Sequence, residues 1–86
     1  MDKLKISIND ELKECDVLYT FKSHNTKNCY LICTDNTYSN DKINVYSFIF
    51  YPKDENKGIE KITNKEDWDE VKEFMSLMKV SYNECI

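Results

Sequence analysis

Residues 43–51 read Ile-Asn-Val-Tyr-Ser-Phe-Ile-Phe-Tyr, the strongest run of β-forming side chains in the chain. Aromatic and β-branched residues of this kind fit a pleated, largely buried strand. Pro52 follows directly and ends the strand, because proline has no amide hydrogen to donate to a sheet. This segment therefore predicts one strand of a sheet, and the segments around it supply the neighbours.

Two alternating segments open the chain and predict a β-hairpin. Residues 3–8 and 11–22 each place apolar and polar side chains in turn, and Asn9-Asp10 between them is a turn signal. Alternation of period two puts every second side chain on the same face of a strand. The residues predicted to share one face of the second strand are Cys15, Val17, Tyr19 and Phe21.

The middle of the chain predicts a central strand and then a loop. Residues 27–34 hold a continuous apolar run, which is typical of a strand covered on both faces. Residues 23–26 form a polar turn before it, and residues 35–42 are predicted to form an exposed polar loop after it. Residues 53–57 predict a charged turn, and residues 59–62 a short last strand.

Residues 64–79 predict a helix. Thr63 and Glu66 match a capping box, in which a hydroxyl and a carboxylate each satisfy a free backbone amide. The first turns are acidic, as the helix dipole favours. One apolar stripe is formed by Trp68, Val71, Met75 and Met78, with Phe74 beside it. Residues 80–86 are expected to fray or to lie loosely on the surface.

Strands first and a helix last indicate an α+β fold. We expect a meander of about five antiparallel strands that packs one face against one C-terminal helix. The 86 residues form one domain, with no internal repeat and no boundary. A domain of this size has a thin hydrophobic core, which can support a shallow binding surface more easily than a deep cleft.

Composition narrows the classes of function. The chain has 12 basic residues, all lysine, against 16 acidic ones, for a formal net charge of −4. Arginine, the usual residue for a bidentate grip on phosphate or guanine, is absent, so direct nucleic-acid binding is not expected. No apolar run is long enough to span a bilayer, and residues 1–5 lack the apolar core of a signal peptide. The expectation is a small acidic cytoplasmic protein without membrane contact.

The cysteines and the single histidine predict neither a metal site nor a catalytic centre. Cys15, Cys29, Cys33 and Cys85 include no closely spaced ligand pair, and His24 has no second histidine at ligand spacing. Reduced thiols that behave as small apolar side chains are the favoured interpretation. No nucleophile with a base is evident, so we expect no enzyme, no cofactor and no bound metal.

Two surfaces are candidates for binding a partner. The first is acidic, and a solvated helix face without a partner is its simpler explanation; its residues are Glu60, Glu66, Asp67, Asp69, Glu70 and Glu73. The second is one face of the strand at 43–51, with Tyr46, Phe48 and Phe50. A homodimer or a partner protein would cover that face if it were open, whereas cover from within the chain is the alternative.

The pattern as a whole resembles the YrzB-like proteins of unknown function, small acidic cytosolic proteins of low-GC Gram-positive bacteria. The matching segments are residues 6–8, 17–21, 29–32, 45–48 and 66–71. The chain departs from that family at Asn9-Asp10, where members usually carry a glycine, and in its less acidic segment 35–42. These departures favour a diverged relative, carried by a phage or mobile element. The family offers no catalytic residue to transfer.

A protein-binding module without catalysis is the expected function. Its leading version is a regulator or inhibitor of another protein, such as a nucleic-acid-binding protein of a host defence system, with the acidic surface imitating phosphates. A housekeeping structural or oligomeric protein is the alternative, and a small enzyme is the third possibility.

Overall fold

The computed structural model describes residues 3–8, 10–54 and 58–85. Its elements, in chain order, are β1 (Lys3–Ile8), β2 (Glu11–Lys22), β3 (Cys29–Ser39), β4 (Lys42–Phe50), β5 (Ile59–Lys61), α1 (Lys65–Leu77) and β6 (Tyr82–Glu84). The predicted turns at Asn9-Asp10 and 53–57, and residue 86 of the predicted tail, lie partly or wholly outside the described residues. Among the described residues, no helix has the length and apolar character needed to cross a bilayer.

The predicted α+β architecture is confirmed. The strands follow one another in the order β1-β2-β3-β4-β5, each antiparallel to the next, and the sheet curls into a half-barrel with α1 after it. Alternating side chains of the sheet feed two apolar clusters, one on each face. The cluster on one face, which we call the barrel cluster, is Ile6, Cys15, Leu31, Cys33, Tyr46 and Phe48. The helix cluster on the other face is Tyr30, Ile32, Val45, Ile49, Ile62, Val71 and Met75.

The predicted loop at 35–42 is wrong, because β3 continues to Ser39 and β4 begins at Lys42. Only Asn40 and Asp41 turn the chain, and both have positive φ angles, of 53° and 62°. Two successive residues with positive φ make the tight hairpin turn whose twist matches that of the flanking strands. Asparagine and aspartate tolerate this backbone better than most residues, so the pair replaces the usual glycine.

The alternation of β2 predicted that Cys15, Val17, Tyr19 and Phe21 share one face of the strand. This prediction is wrong beyond Val17. Val17 pairs with Cys33, whereas Tyr19 pairs with Ile32, so Leu18 is an extra residue in the ladder. A bulge of this kind shifts the alternation by one position. Val17 therefore packs against the barrel cluster, and Tyr19 against the helix cluster.

Both the first residue and the N-cap of α1 lie one position later than predicted. Asn64, not Thr63, is the N-cap, and its side-chain oxygen accepts a hydrogen bond of 2.9 Å from the Asp67 amide. At the other end Lys79 has a φ of 56°, and the Val80 amide reaches back to the Met75 carbonyl at 3.4 Å. This left-handed C-terminal motif ends the helix and sends the chain back toward the sheet.

The prediction of a loose tail at 80–86 is also wrong for its described part. Strand β6 pairs in parallel with the beginning of β4, on the edge whose other end is occupied by β5. Asn83 fixes it: its amide nitrogen donates to the carbonyl oxygens of Ser39 at 2.7 Å and Lys42 at 3.2 Å. The Cys85 amide adds a bond of 2.9 Å to the Val45 carbonyl.

Candidate functional site

The charged residues of α1 separate into two stripes. At 100° per residue, positions 66, 70, 73 and 77 of α1 fall on one flank of the helix, and positions 65 and 72 fall on the opposite flank. The first flank carries Glu66, Glu70, Glu73 and Leu77, and the second carries Lys65 and Lys72. The lysines of α1 therefore do not interrupt the acidic stripe formed by Glu66, Glu70 and Glu73.

Asp67 does not belong to the acidic surface. It is 2% exposed and accepts hydrogen bonds from the Asn28 amide at 3.1 Å and from the Tyr30 hydroxyl. Burial, together with the Asp67 carboxylate, raises the pKa of Tyr30 to about 12. The prediction that Asp67 faces a partner is thus wrong; the residue joins α1 to the turn before β3.

Two other members of the predicted acidic set are also set apart. Asp69 is exposed, but it lies between the two stripes and forms an ion pair with Lys65 at 3.1 Å. Glu60 is exposed on β5, where it pairs with Ile49 of β4 rather than standing on α1. The structure therefore groups only three of the six predicted acidic residues.

Glu70 is held in place by neutral donors. The buried hydroxyl of Ser23 donates to its carboxylate, and the Asn25 amide donates at 3.3 Å. Among the described residues, neither Glu70 nor the exposed Glu73 forms an ion pair. The acidic stripe thus contains an oriented carboxylate that forms no ion pair with a lysine of the described chain.

A groove of about 250 Å³ lies between α1 and the end of β2, beside these carboxylates. Phe21 and Phe74 stack face to face along it, with ring centroids 4.0 Å apart. Leu77, 70% exposed, extends the apolar lining, and Glu70 and Glu73 border it. The exposed His24 also lies at this groove, so the only histidine adjoins the acidic stripe. We call these residues the α1–β2 groove.

The aromatic strand face is covered from within the chain. Tyr46 and Phe48 are 7% and 9% exposed in the barrel cluster, and Phe50 is half-buried against it. The Tyr46 hydroxyl donates to Asp35 at 3.1 Å, and Lys13 reaches the same carboxylate at 3.3 Å. Burial alone would raise the pKa of Asp35, but hydrogen bonds from Thr37, Lys13 and Tyr46 outweigh it and lower the pKa. Tyr46 and Phe48 therefore do not form an open aromatic surface.

The thiols are reduced and mostly enclosed. Cys15 and Cys33 are fully buried, and Cys85 packs against the same barrel cluster. Burial raises the pKa of the Cys33 and Cys15 thiols, which keeps them protonated and unreactive. The described residues also contain no group of three or more His, Cys, Asp or Glu side chains arranged to hold a metal ion.

Sequence reasoning found the three acidic residues of the stripe but not the groove beside them. The groove depends on the bulge at Leu18, because the bulge turns Phe21 toward α1. A bulge cannot be predicted from the alternation of apolar and polar residues. A second omission is Glu84 on β6: neither oxygen of its buried carboxyl group has a hydrogen-bond partner among the described residues. Ser47 and Lys72 lie close by, yet burial raises the pKa of Glu84 overall.

Comparison of the chain with protein-family models, with curated proteins and with solved structures finds no match. The resemblance to the YrzB-like family therefore stays a prediction.

Proposed function

We propose that this protein is a non-catalytic binding module, and that it regulates or inhibits a partner protein by holding a basic segment of that partner in the α1–β2 groove. The observation that carries the proposal is the position of Glu70 and Glu73 at the border of a groove lined by aromatic rings. Neither carboxylate forms an ion pair among the described residues, although Lys22 also lines the groove. A cytoplasmic partner of the nucleic-acid-binding kind fits this chemistry, because such proteins present arginine and lysine.

The groove supports both halves of a basic side chain. The apolar stems of lysine and arginine pack on surfaces such as Leu77 and the outer edges of the stacked rings of Phe21 and Phe74. Glu70 and Glu73 would neutralise the positive charge. Because Ser23 and Asn25 already orient Glu70, little side-chain freedom is lost on binding there.

A role without catalysis is supported by the arrangement of the reactive side chains. His24 has no hydrogen bond to a carboxylate within the described part of the chain, and the Ser23 hydroxyl is occupied as a donor to Glu70. The thiols of Cys15 and Cys33 lie in the barrel cluster, where both residues are fully buried. A nucleophile, its base and an orienting group are what an enzyme of this size would need together.

Charge reversal tests the proposal. Partners captured from a host lysate by the wild-type protein would be compared with those captured by Glu73→Lys and by Glu60→Lys, an equal charge change on exposed β5. We expect Glu73→Lys to weaken capture of the specific partner at least about tenfold, because it places a repulsive charge in the groove. Glu60→Lys should leave capture within about twofold.

Equal losses in the two variants would show that only net charge matters and would contradict a groove-specific site. Retention of the partner by Glu73→Lys would exclude the groove altogether. As a second probe, Leu77→Ser removes the exposed apolar lining without changing charge, so it should weaken capture if the groove itself is occupied.

A further inference from the structure

The outer edges of β1 and β5, the two end strands of the half-barrel, lie close to each other. In the strand order, β1 and β5 are the two ends of the meander, and no ladder within residues 3–8, 10–54 and 58–85 joins them. Yet residues of both strands line one slot of about 300 Å³: Lys5, Ile6 and Ser7 from β1, Ile59 and Lys61 from β5, and Phe48 from β4. The sheet therefore curls until its two ends lie on either side of a narrow opening, without closing into a barrel.

The base of this slot is apolar. Ile6 and Phe48 belong to the barrel cluster, and Ile59 packs against them while remaining half-buried. Because side chains alternate along a strand, an added extended segment would direct every second side chain onto this base. Small aliphatic side chains suit a volume of about 300 Å³ divided over two or three positions.

The charged residues that line the slot have one sign, whereas Glu60, between Ile59 and Lys61, lies on the other face of β5. Both charged residues that line the slot, Lys5 and Lys61, are lysines, and neither forms an ion pair among the described residues. Lysine on an edge strand discourages a second copy from pairing there, since lysine would meet lysine. The same charges attract an edge-binding segment that carries carboxylates.

We propose that this slot is a binding site for an extended acidic segment of another protein, which adds to β1 as a further strand and closes the half-barrel. Backbone hydrogen bonds to the free edge supply affinity, and the alternating aliphatic and acidic side chains supply selectivity. The site is separate from the α1–β2 groove and does not depend on the function proposed for it.

The segment pairs with β1 rather than with β5 for two reasons. Strand β1 offers six residues of edge and β5 only three. On β5, Glu60 alternates with Ile59 and Lys61, so it points to the outer face and would repel an acidic side chain there, whereas on β1 Lys5 occupies the outer face.

A capped octapeptide of alternating valine and glutamate is the probe, added to the isotopically labelled full-length protein and followed by amide NMR. We expect saturable shifts at Lys5, Ile6 and Ser7 and slower hydrogen exchange along β1, because edge amides gain partners. The matched peptide with lysine in place of glutamate should bind at least about tenfold more weakly. The acidic peptide with alternate backbone nitrogens methylated should not bind, because it cannot form the ladder.

The protein variants make the test specific. The double substitution Lys5→Gln and Lys61→Gln should weaken binding of the acidic probe about tenfold, and the control pair Lys42→Gln and Lys53→Gln, equal in charge, should not. Glu73→Lys should leave this binding unchanged, which separates the slot from the α1–β2 groove. Absence of shifts in β1, equal binding of the basic peptide, or equal losses in the two lysine double variants would overturn the proposal.

Discussion

At the scale of single residues, burial protects two of the cysteine thiols from chemical reaction. Cys15 and Cys33 are diagonal neighbours on β2 and β3, and each side chain is fully buried. Their pKa values are raised because burial disfavours the thiolate, which is the nucleophilic form. The interpretation of the cysteines as small apolar side chains thus gains a physical reason, and it yields a direct test.

We expect a brief pulse of iodoacetamide at pH 8 to leave Cys15 and Cys33 unmodified in the folded protein, while the half-buried Cys29 reacts. The expected difference in labelling rate is at least about 100-fold, because reaction at the buried thiols waits for the chain to open. Mass spectrometry of peptides reads each site, and a sample unfolded in guanidinium is the control. Labelling of Cys33 at the rate of Cys29 would contradict the burial.

Elements were predictable wherever the sequence alternates over a long stretch. The predicted bounds of β1 and β2 agree with the structure, and α1 differs by one or two residues at each end. Strand β6 has only three residues, too few for a pattern, and it is held by the side chain of Asn83 rather than by apolar burial of its own. The end of β3 was predicted as a loop because its residues are polar, and they are polar because this part of the hairpin is exposed. The pair Asn40-Asp41 is the sequence signal that could have located the hairpin turn.

The two possible caps of α1 can be told apart by mutation. We expect Asn64→Ala to lower the free energy of unfolding by about 1 kcal/mol, because the Asp67 amide loses its acceptor. Thr63→Ala should change it by no more than about 0.3 kcal/mol, since the exposed Thr63 side chain makes no capping bond. Urea unfolding followed by circular dichroism measures both. The reverse order would restore the cap predicted from the sequence.

For the molecule as a whole, two buried carboxyl groups give stability opposite dependences on pH. The pKa of Asp35 is lowered, so its contribution is present above the ordinary value of 3.8 and is lost as the pH falls below it. The pKa of Glu84 is raised, so the folded state favours the proton, and stability declines as the pH rises from 4.5 through the folded pKa. A substitution at one residue isolates its share.

Replacing Glu84 by glutamine should therefore make the protein more stable than wild type at pH 8, by an amount on the order of 1 kcal/mol, and should reduce this advantage toward pH 4. The neutral amide removes the buried charge while keeping the size of the side chain. Thermal unfolding from pH 4 to pH 8 measures the difference, with Glu73→Gln, on an exposed residue, as the control. A pH-independent difference would show that Glu84 keeps an unshifted pKa.

The two clusters described above also govern how the molecule comes apart. The strands β2, β3 and β4 each send neighbouring side chains into both clusters, so Ile32 and Cys33, one residue apart, belong to different cores. A strand cannot leave one core and stay in the other. We therefore expect thermal unfolding to be a single calorimetric transition, although α1 covers only one face of the sheet. No intermediate should retain one cluster while the other is exposed to water.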